Sequence, residues 1–222
     1  MEQHILTMGN YRLACQLPQQ AVRQLVYFHS PVDDLMPPED LLEQAGAAFL
    51  CITGEDWNAD LTPWPAERVF AKGGDFGGRA DRYLRVLTEE LLPFAEHSLH
   101  AEGLPRTLAG VSLSGLFAVY AAHRTDAFHR ICSVSGSLWY DGFLDFMVQN
   151  PVSPAVRRVY LSVGSREKNA KNPRMRRVED CTLRAAGRLR QQDVDTRMEI
   201  NPGGHYADGA ERLRKGLTYI LA

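Results

Sequence analysis

Gly110-Val111-Ser112-Leu113-Ser114-Gly115 is the stretch that decides how this chain of 222 residues is read. The apolar run Thr107 to Val111 leads into it and the amphipathic run Leu113 to His123 leaves it, so a strand enters a tight serine turn and a helix follows. A serine hydroxyl becomes a useful nucleophile when a sharp strand-to-helix turn holds it exposed beside a base and in front of backbone donors. Small residues two before and two after the serine let that turn close. Gly110 fills the first of these places, and Ser114 fills the second, where glycine is usual. Ser112 therefore has small residues on both flanks, whereas Ser114 would have the bulky Leu116 pressing on the strand. Ser112 is the candidate nucleophile.

Outward from the turn, short β-like runs alternate with longer helical ones. Tyr11 to Leu17, Gln24 to His29, Ala48 to Thr53, Thr107 to Val111, Arg130 to Val134, Val159 to Val163 and Thr196 to Ile200 predict strands, several with the continuous apolar character of buried parallel strands. Helices are predicted at Asp81 to Glu96, Leu113 to His123, Asp141 to Val148, Arg174 to Leu189 and Ala210 to Leu221. Asp208, with Glu211 three residues on, reads as a capping box for the last of them. The alternation predicts a layered α/β fold with a mainly parallel sheet, entered by one antiparallel strand near the N-terminus. Residues 54–80 form a long connection without predicted secondary structure, a binding loop or lid whose Trp57 and Trp64 supply apolar surface.

Bulk properties bound the rest. One domain over residues 1–222 is expected, since no Pro- or Ser-rich linker divides the chain. An apolar share of 45% and a formal charge of -2 describe an ordinary globule, with no basic surface for nucleic acid and no apolar stretch for a membrane. The N-terminal residues Met1-Glu2-Gln3-His4 do not read as a secretory leader. Cys15, Cys51, Cys132 and Cys181 are widely spaced, mostly in apolar runs, and are expected as reduced core thiols in a cytoplasmic protein rather than as a metal site.

An activated serine needs a base, and neutral histidine suits this near pH 7. Of seven histidines, His205 stands apart because it follows the last predicted strand in Asn201-Pro202-Gly203-Gly204-His205-Tyr206. The third member should orient that imidazole. Glu167, just past the strand Val159 to Val163, occupies the place between serine and histidine in chain order. An oxyanion site would use the amide of Leu113, plus that of Ser30 or Val32 in the loop after an early strand, since Pro31 has no amide hydrogen. His29, at the end of that strand, reads as a packed residue. The basic run Arg166, Lys168, Lys171, Arg174, Arg176 and Arg177 reads as a solvated helix start.

Several segments resemble the α/β-hydrolase family of esterases that includes esterase D, feruloyl esterases and enterobactin-type siderophore esterases. They are Asp60-Leu61-Thr62-Pro63-Trp64, the run from Gly78 through Tyr83 to Phe94, the turn itself, Ser135-Gly136-Ser137-Leu138-Trp139-Tyr140, and Gly203-Gly204-His205. The resemblance implies a serine hydrolase of carboxylic esters with Ser112 and His205 in the catalytic positions, and no metal or organic cofactor. Siderophore esterases of this kind rely mainly on a serine and histidine pair, so a triad with Glu167 and a dyad without it both remain open. Trp139, Tyr140 and Trp64 are expected to line the pocket for a small-molecule ester. An acyltransferase using the same site, and a binding protein on the same fold, are the alternative readings.

Overall fold

The apolar runs become the middle of one eight-stranded sheet in the computed structural model, which describes residues 1–30, 37–70 and 73–222. The strands are β1 (Glu2–Met8), β2 (Tyr11–Leu17), β3 (Gln24–His29), β4 (Ala47–Thr53), β5 (Arg106–Val111), β6 (Arg130–Val134), β7 (Arg158–Gly164) and β8 (Asp195–Asn201). They lie side by side in the order β1-β2-β4-β3-β5-β6-β7-β8. From β4 to β8 every pairing is parallel, while β1 with β2 and β2 with β4 are antiparallel. Parallel strands need crossovers, and helices in those crossovers bury both faces of the sheet. All six residues of β3 are accordingly buried.

The predicted runs Tyr11 to Leu17, Gln24 to His29 and Arg130 to Val134 coincide with strands at both ends; two of the others fall one residue short at one end and two at both ends. Strand β1 was not visible in the pattern. It is mostly exposed, with Ile5 pointing to solvent, and its order comes from pairing with β2 across the Gly9-Asn10 turn rather than from a buried face. Two strands therefore precede the parallel set, and of these β2 alone runs against it, the one antiparallel strand that the sequence predicts.

Two apolar layers cover it. Leu84, Leu87, Leu91, Leu116, Phe117, Ala185 and Leu189 belong to the cluster on one face, while Leu42, Leu213, Leu217 and Ile220 belong to the other. The helix predicted at Asp81 to Glu96 is continuous through residues 80–98 but contains a π turn at Leu87–Leu91. Pro93 cannot donate a helical bond, and a π turn is one way to absorb the missing donor. Glu96 near the end of this helix is buried and receives both arms of the Arg106 guanidinium at 2.5 and 2.7 Å, with the Tyr27 hydroxyl at 3.0 Å. That network ties the helix to β3 and β5.

Residues 54–80 carry more structure than the sequence predicts. Trp57–Asp60 forms one helical turn capped by Asp56, which accepts the Ala59 amide at 3.2 Å, and Pro65–Ala66 pairs with Phe76–Gly77. Arg79 then bridges Asp56 and Asp60 at 3.0 and 3.1 Å. Side-chain bonds of this local kind leave no hydrophobic period to read. The expected capping box is absent for a similar reason. Asp208 has φ 51° and makes no side-chain cap, and Glu211 pairs with Arg214 at 2.6 Å instead.

At the centre of the sheet β5 ends in the serine turn. Ser112 has φ 62° and ψ -122°, in a region that side-chain-bearing residues rarely occupy. The helix that follows, Leu113–Ala121, is buried at every residue rather than amphipathic, packed on β5 and β6 within the larger apolar cluster. It presses so closely on β5 that a Cβ at position 110 would sit 2.3 Å from the Ser114 carbonyl carbon. Ser114 Oγ accepts the Val111 amide at 2.8 Å and donates to the Val111 carbonyl at 2.8 Å. Its hydroxyl closes the turn from inside, where no water reaches it.

Removing that hydroxyl takes this partner from the amide and carbonyl of half-buried Val111. Ser114→Ala is expected to cost about 1–3 kcal/mol of unfolding free energy in urea titrations. An unchanged urea midpoint would mean that the turn holds without this clamp.

Candidate active site

Three strand ends bring the site together. Ser112 follows β5, Glu167 opens a 3-10 turn at Glu167–Asn169 after β7, and His205 lies in the loop after β8. His205 Nε2 is 3.1 Å from Ser112 Oγ, and His205 Nδ1 is 2.7 Å from Glu167 Oε2. The three residues singled out from chain order are thus one connected chain of hydrogen bonds. Asp208 takes no part in it.

Glu167 is 7% exposed and its second oxygen is also engaged. Oε1 accepts the Gly164 amide at 2.6 Å and the Ser135 hydroxyl at 2.7 Å. Burial alone raises the pKa of this carboxyl, but the bond and charge of His205, with the Gly164 and Ser135 donors, outweigh it and leave the carboxyl below the ordinary range. The group is held as a carboxylate facing the imidazole. Arg212, which the sequence analysis does not single out, also reaches Oε1 at 3.3 Å. Ser135, at φ 49°, comes from the end of β6 and was likewise not singled out.

A cavity of about 640 Å³ opens over Ser112 and His205. Leu113 and Ser30, the expected oxyanion residues, both border it; Val32, the alternative donor, lies outside the described residues. Trp139 lines it as expected, and Trp57 and Phe76 join it from residues 54–80. Trp64 and Tyr140 do not. Tyr140 is buried with its hydroxyl on the Trp64 carbonyl at 2.5 Å, and Trp64 Nε1 donates to the Asp141 carbonyl at 3.0 Å. These rings back the wall: Phe76 packs on Tyr140 with ring centres 5.4 Å apart. Sequence marks an aromatic as a pocket candidate but does not say which of two neighbours turns inward.

His29 also borders the cavity, although it has no place in the relay. Its Nε2 is 2.8 Å from the Tyr83 hydroxyl, and Phe117 and Tyr83 meet its ring edge-on. Complete burial pushes its pKa down to about 3, so it is neutral. The basic run behaves as a tied surface segment. Arg174 and Arg177 share Asp141 at 2.7 and 2.6 Å, and Lys168 pairs with Glu179. Arg174 further covers Trp139, 5.5 Å from its ring centre, and donates to the Glu67 carbonyl at 2.6 Å. Arg68, at the cavity rim, is a cation that the sequence reading passed over.

The four cysteines are buried, and burial pushes the Cys15 and Cys132 thiols up to about 12. Among the described residues no cluster of three or more His, Cys, Asp or Glu is arranged to hold a metal ion. No described helix is long and apolar enough to cross a membrane.

Comparison with known proteins follows the geometry. The profile of the family described as "Putative esterase" matches residues 9–208. YbbA of Bacillus subtilis (strain 168), an uncharacterized protein, is 30% identical over 136 residues, which are 60% of this chain and 54% of that one. The match thus spans about half the length of this curated relative. Among solved structures, an IroE-like serine hydrolase from Shewanella oneidensis superposes with a TM-score of 0.78 at 18% identity, over 98% of this chain and 79% of that one. Siderophore hydrolase EstA of Aspergillus nidulans gives 0.78 at 17% identity over 98% and 92%. The enterobactin esterase FES of Shigella flexneri gives 0.68 at 18% identity over 98% and 58%. The fold is that of the α/β-hydrolases. Because the family match runs from before β2 to the loop that follows His205, and so takes in every strand end from which the relay is built, the chain belongs to the esterase family.

Proposed function

We propose that this protein is a serine carboxylic-ester hydrolase that works through an acyl-enzyme on Ser112. The observation that carries the proposal is the relay from Ser112 Oγ through His205 to Glu167 at the base of the cavity. His205 Nε2 takes the proton from Ser112 as the oxygen attacks the ester carbonyl, and returns it to the departing alcohol. Glu167, bonded to Nδ1, fixes the tautomer that leaves Nε2 free as the base and stabilises the imidazolium that forms. The oxyanion sits against the amides of Leu113 and Ser30. Water activated by His205 then cleaves the acyl-enzyme, with the same groups in reverse roles.

The cavity wall supports a substrate with an apolar or aromatic portion. Trp57, Phe76 and Trp139 offer broad apolar surface above the serine. Neighbours described as siderophore hydrolases and an enterobactin esterase add siderophore esters to the substrates worth assaying beside short-chain and aromatic ones. Buried thiols and a core without exposed cysteine suit a reducing, cytoplasmic setting.

Ser112→Ala is expected to abolish both hydrolysis of p-nitrophenyl acetate and labelling by a fluorophosphonate probe. Retained activity in that variant would remove the serine from the reaction. Glu167→Gln should fold but lose on the order of 10³-fold or more in kcat, because the relay loses its negative end. A rate within a few-fold of the parent would leave a serine and histidine pair as the working unit.

A further inference from the structure

Arg212 is the largest fully buried side chain among the described residues, at 1% exposure. It projects from the C-terminal helix Gly209–Leu221, whose other buried residues are mostly apolar. A guanidinium taken out of water is costly unless its donors are used and its charge is met. Here the fork is shared between two jobs. Nη1 donates to Ser135 Oγ at 3.0 Å and to Glu167 Oε1 at 3.3 Å, while Nη2 donates to the carbonyls of Pro202 at 2.7 Å and Gly204 at 3.0 Å. One arm thus holds the carboxylate through the oxygen that His205 does not use. The other holds the backbone just ahead of His205. Space for this arrangement depends on Gly164, where a Cβ would lie 2.8 Å from Nη2 and 2.6 Å from the Gly203 carbonyl oxygen.

We propose that Arg212 is a positioning residue of the hydrolytic site, locking the loop that carries His205 to the carboxylate of Glu167 and setting how strongly that carboxylate favours the imidazolium. The inference rests on the reading of Ser112, His205 and Glu167 given above. It is supported by where the four bonds go, since all of them end on the connections after β6, β7 and β8. A residue serving only to pack the helix would have no use for a buried charge there, and an apolar side chain of similar volume would fill the space at no desolvation cost.

The electrostatic part has a definite sign. Among the described residues, Glu167 bonds the imidazole at 2.7 Å, Tyr206 packs on it with ring centres 5.1 Å apart, neutral His29 on β3 lines the same cavity, Arg212 from the C-terminal helix stands behind Glu167, Arg166 from the turn after β7 approaches the His205 loop at Gly203, and Asp208 follows three residues later in that loop. Of the cations, Arg212 is the one bonded to the carboxylate. It divides the negative charge of Glu167 between two partners and repels a second positive charge on the ring. Without it the carboxylate turns its full charge to the ring, and the acidic limb of the pH profile is expected to move upward.

The test uses the intact protein with Arg212→Lys and Arg212→Gln, measuring kcat and KM for an aromatic ester across pH beside thermal unfolding by circular dichroism. Ser112→Ala is run first. An active Ser112→Ala protein overturns the hydrolytic reading itself, whereas an inactive one leaves Arg212 as the sole question. Arg212→Lys keeps the charge but loses the fork, and should lower kcat by about tenfold at nearly constant KM while leaving the acidic limb of kcat/KM in place. Arg212→Gln should lower kcat on the order of 10²-fold and move that limb up by about half a pH unit or more. In a Glu167→Gln background the shift caused by Arg212→Gln should shrink to what direct repulsion between Arg212 and the ring supplies, read as the pH dependence of fluorophosphonate labelling. Wild-type kcat in a folded Arg212→Lys protein overturns the proposal, whatever the folding of Arg212→Gln. So does a folded Arg212→Gln protein whose acidic limb does not move, since lost packing alone would lower stability without changing the charge seen by His205.

Discussion

The contact between β5 and the helix that follows it constrains everything else. A chain that turns from a central strand into a helix packed directly against that strand has room for only a hydrogen at position 110 and forces the intervening residue into a left-handed backbone. Ser112 accepts that conformation, at a cost of about 1–3 kcal/mol typical of such positions, and the side chain is lifted clear of the sheet as a result. The Ser114 hydroxyl, bonded to both polar groups of Val111, holds the turn in this state. Glycine is usual at that position, and the serine here does more than fit. It replaces an absent side chain with a clamp.

From that point outward the fold and the site differ in how far the sequence reveals them. Buried parallel strands show as unbroken apolar runs because both faces are covered, which is why β3 and β6 can be bounded so closely. β1 escapes because it faces solvent and owes its order to a neighbour. The relay is legible through chain order, since a serine, an acid and a histidine at the ends of three parallel strands must come together at one edge of the sheet. Arg212 is not legible by the same logic. An arginine among Glu211, Arg214 and Lys215 on a C-terminal helix looks like part of a solvated face, and only the fold shows that this position points inward at the carboxylate.

The pocket wall is the part that local sequence describes least. Its aromatics come from two places: the segment after β6, which supplies Trp139, and residues 54–80, which supply Trp57 and Phe76. Trp64 and Tyr140 belong to the same two segments yet support the wall from behind, joined to each other by a hydrogen bond. Which ring faces the cavity is settled by packing between segments distant in sequence, so composition identifies the right neighbourhood and misassigns individual members.

Those same contacts explain how an irregular connection can serve as a wall. The described residues of 54–80 lack the length of helix or strand that would make them rigid alone, but they are fastened at several points: Asp56 and Asp60 by Arg79, the Glu67 carbonyl by Arg174, and the Val69 carbonyl by the Asn172 side-chain amide at 3.1 Å. Two of these anchors lie between the turn that bears Glu167 and the helix Val178–Arg190. The polypeptide that presents the acid thus continues directly into the polypeptide that braces the pocket. One continuous segment, residues 164–177, thus both presents Glu167 to His205 and fastens part of the connection that forms the cavity wall.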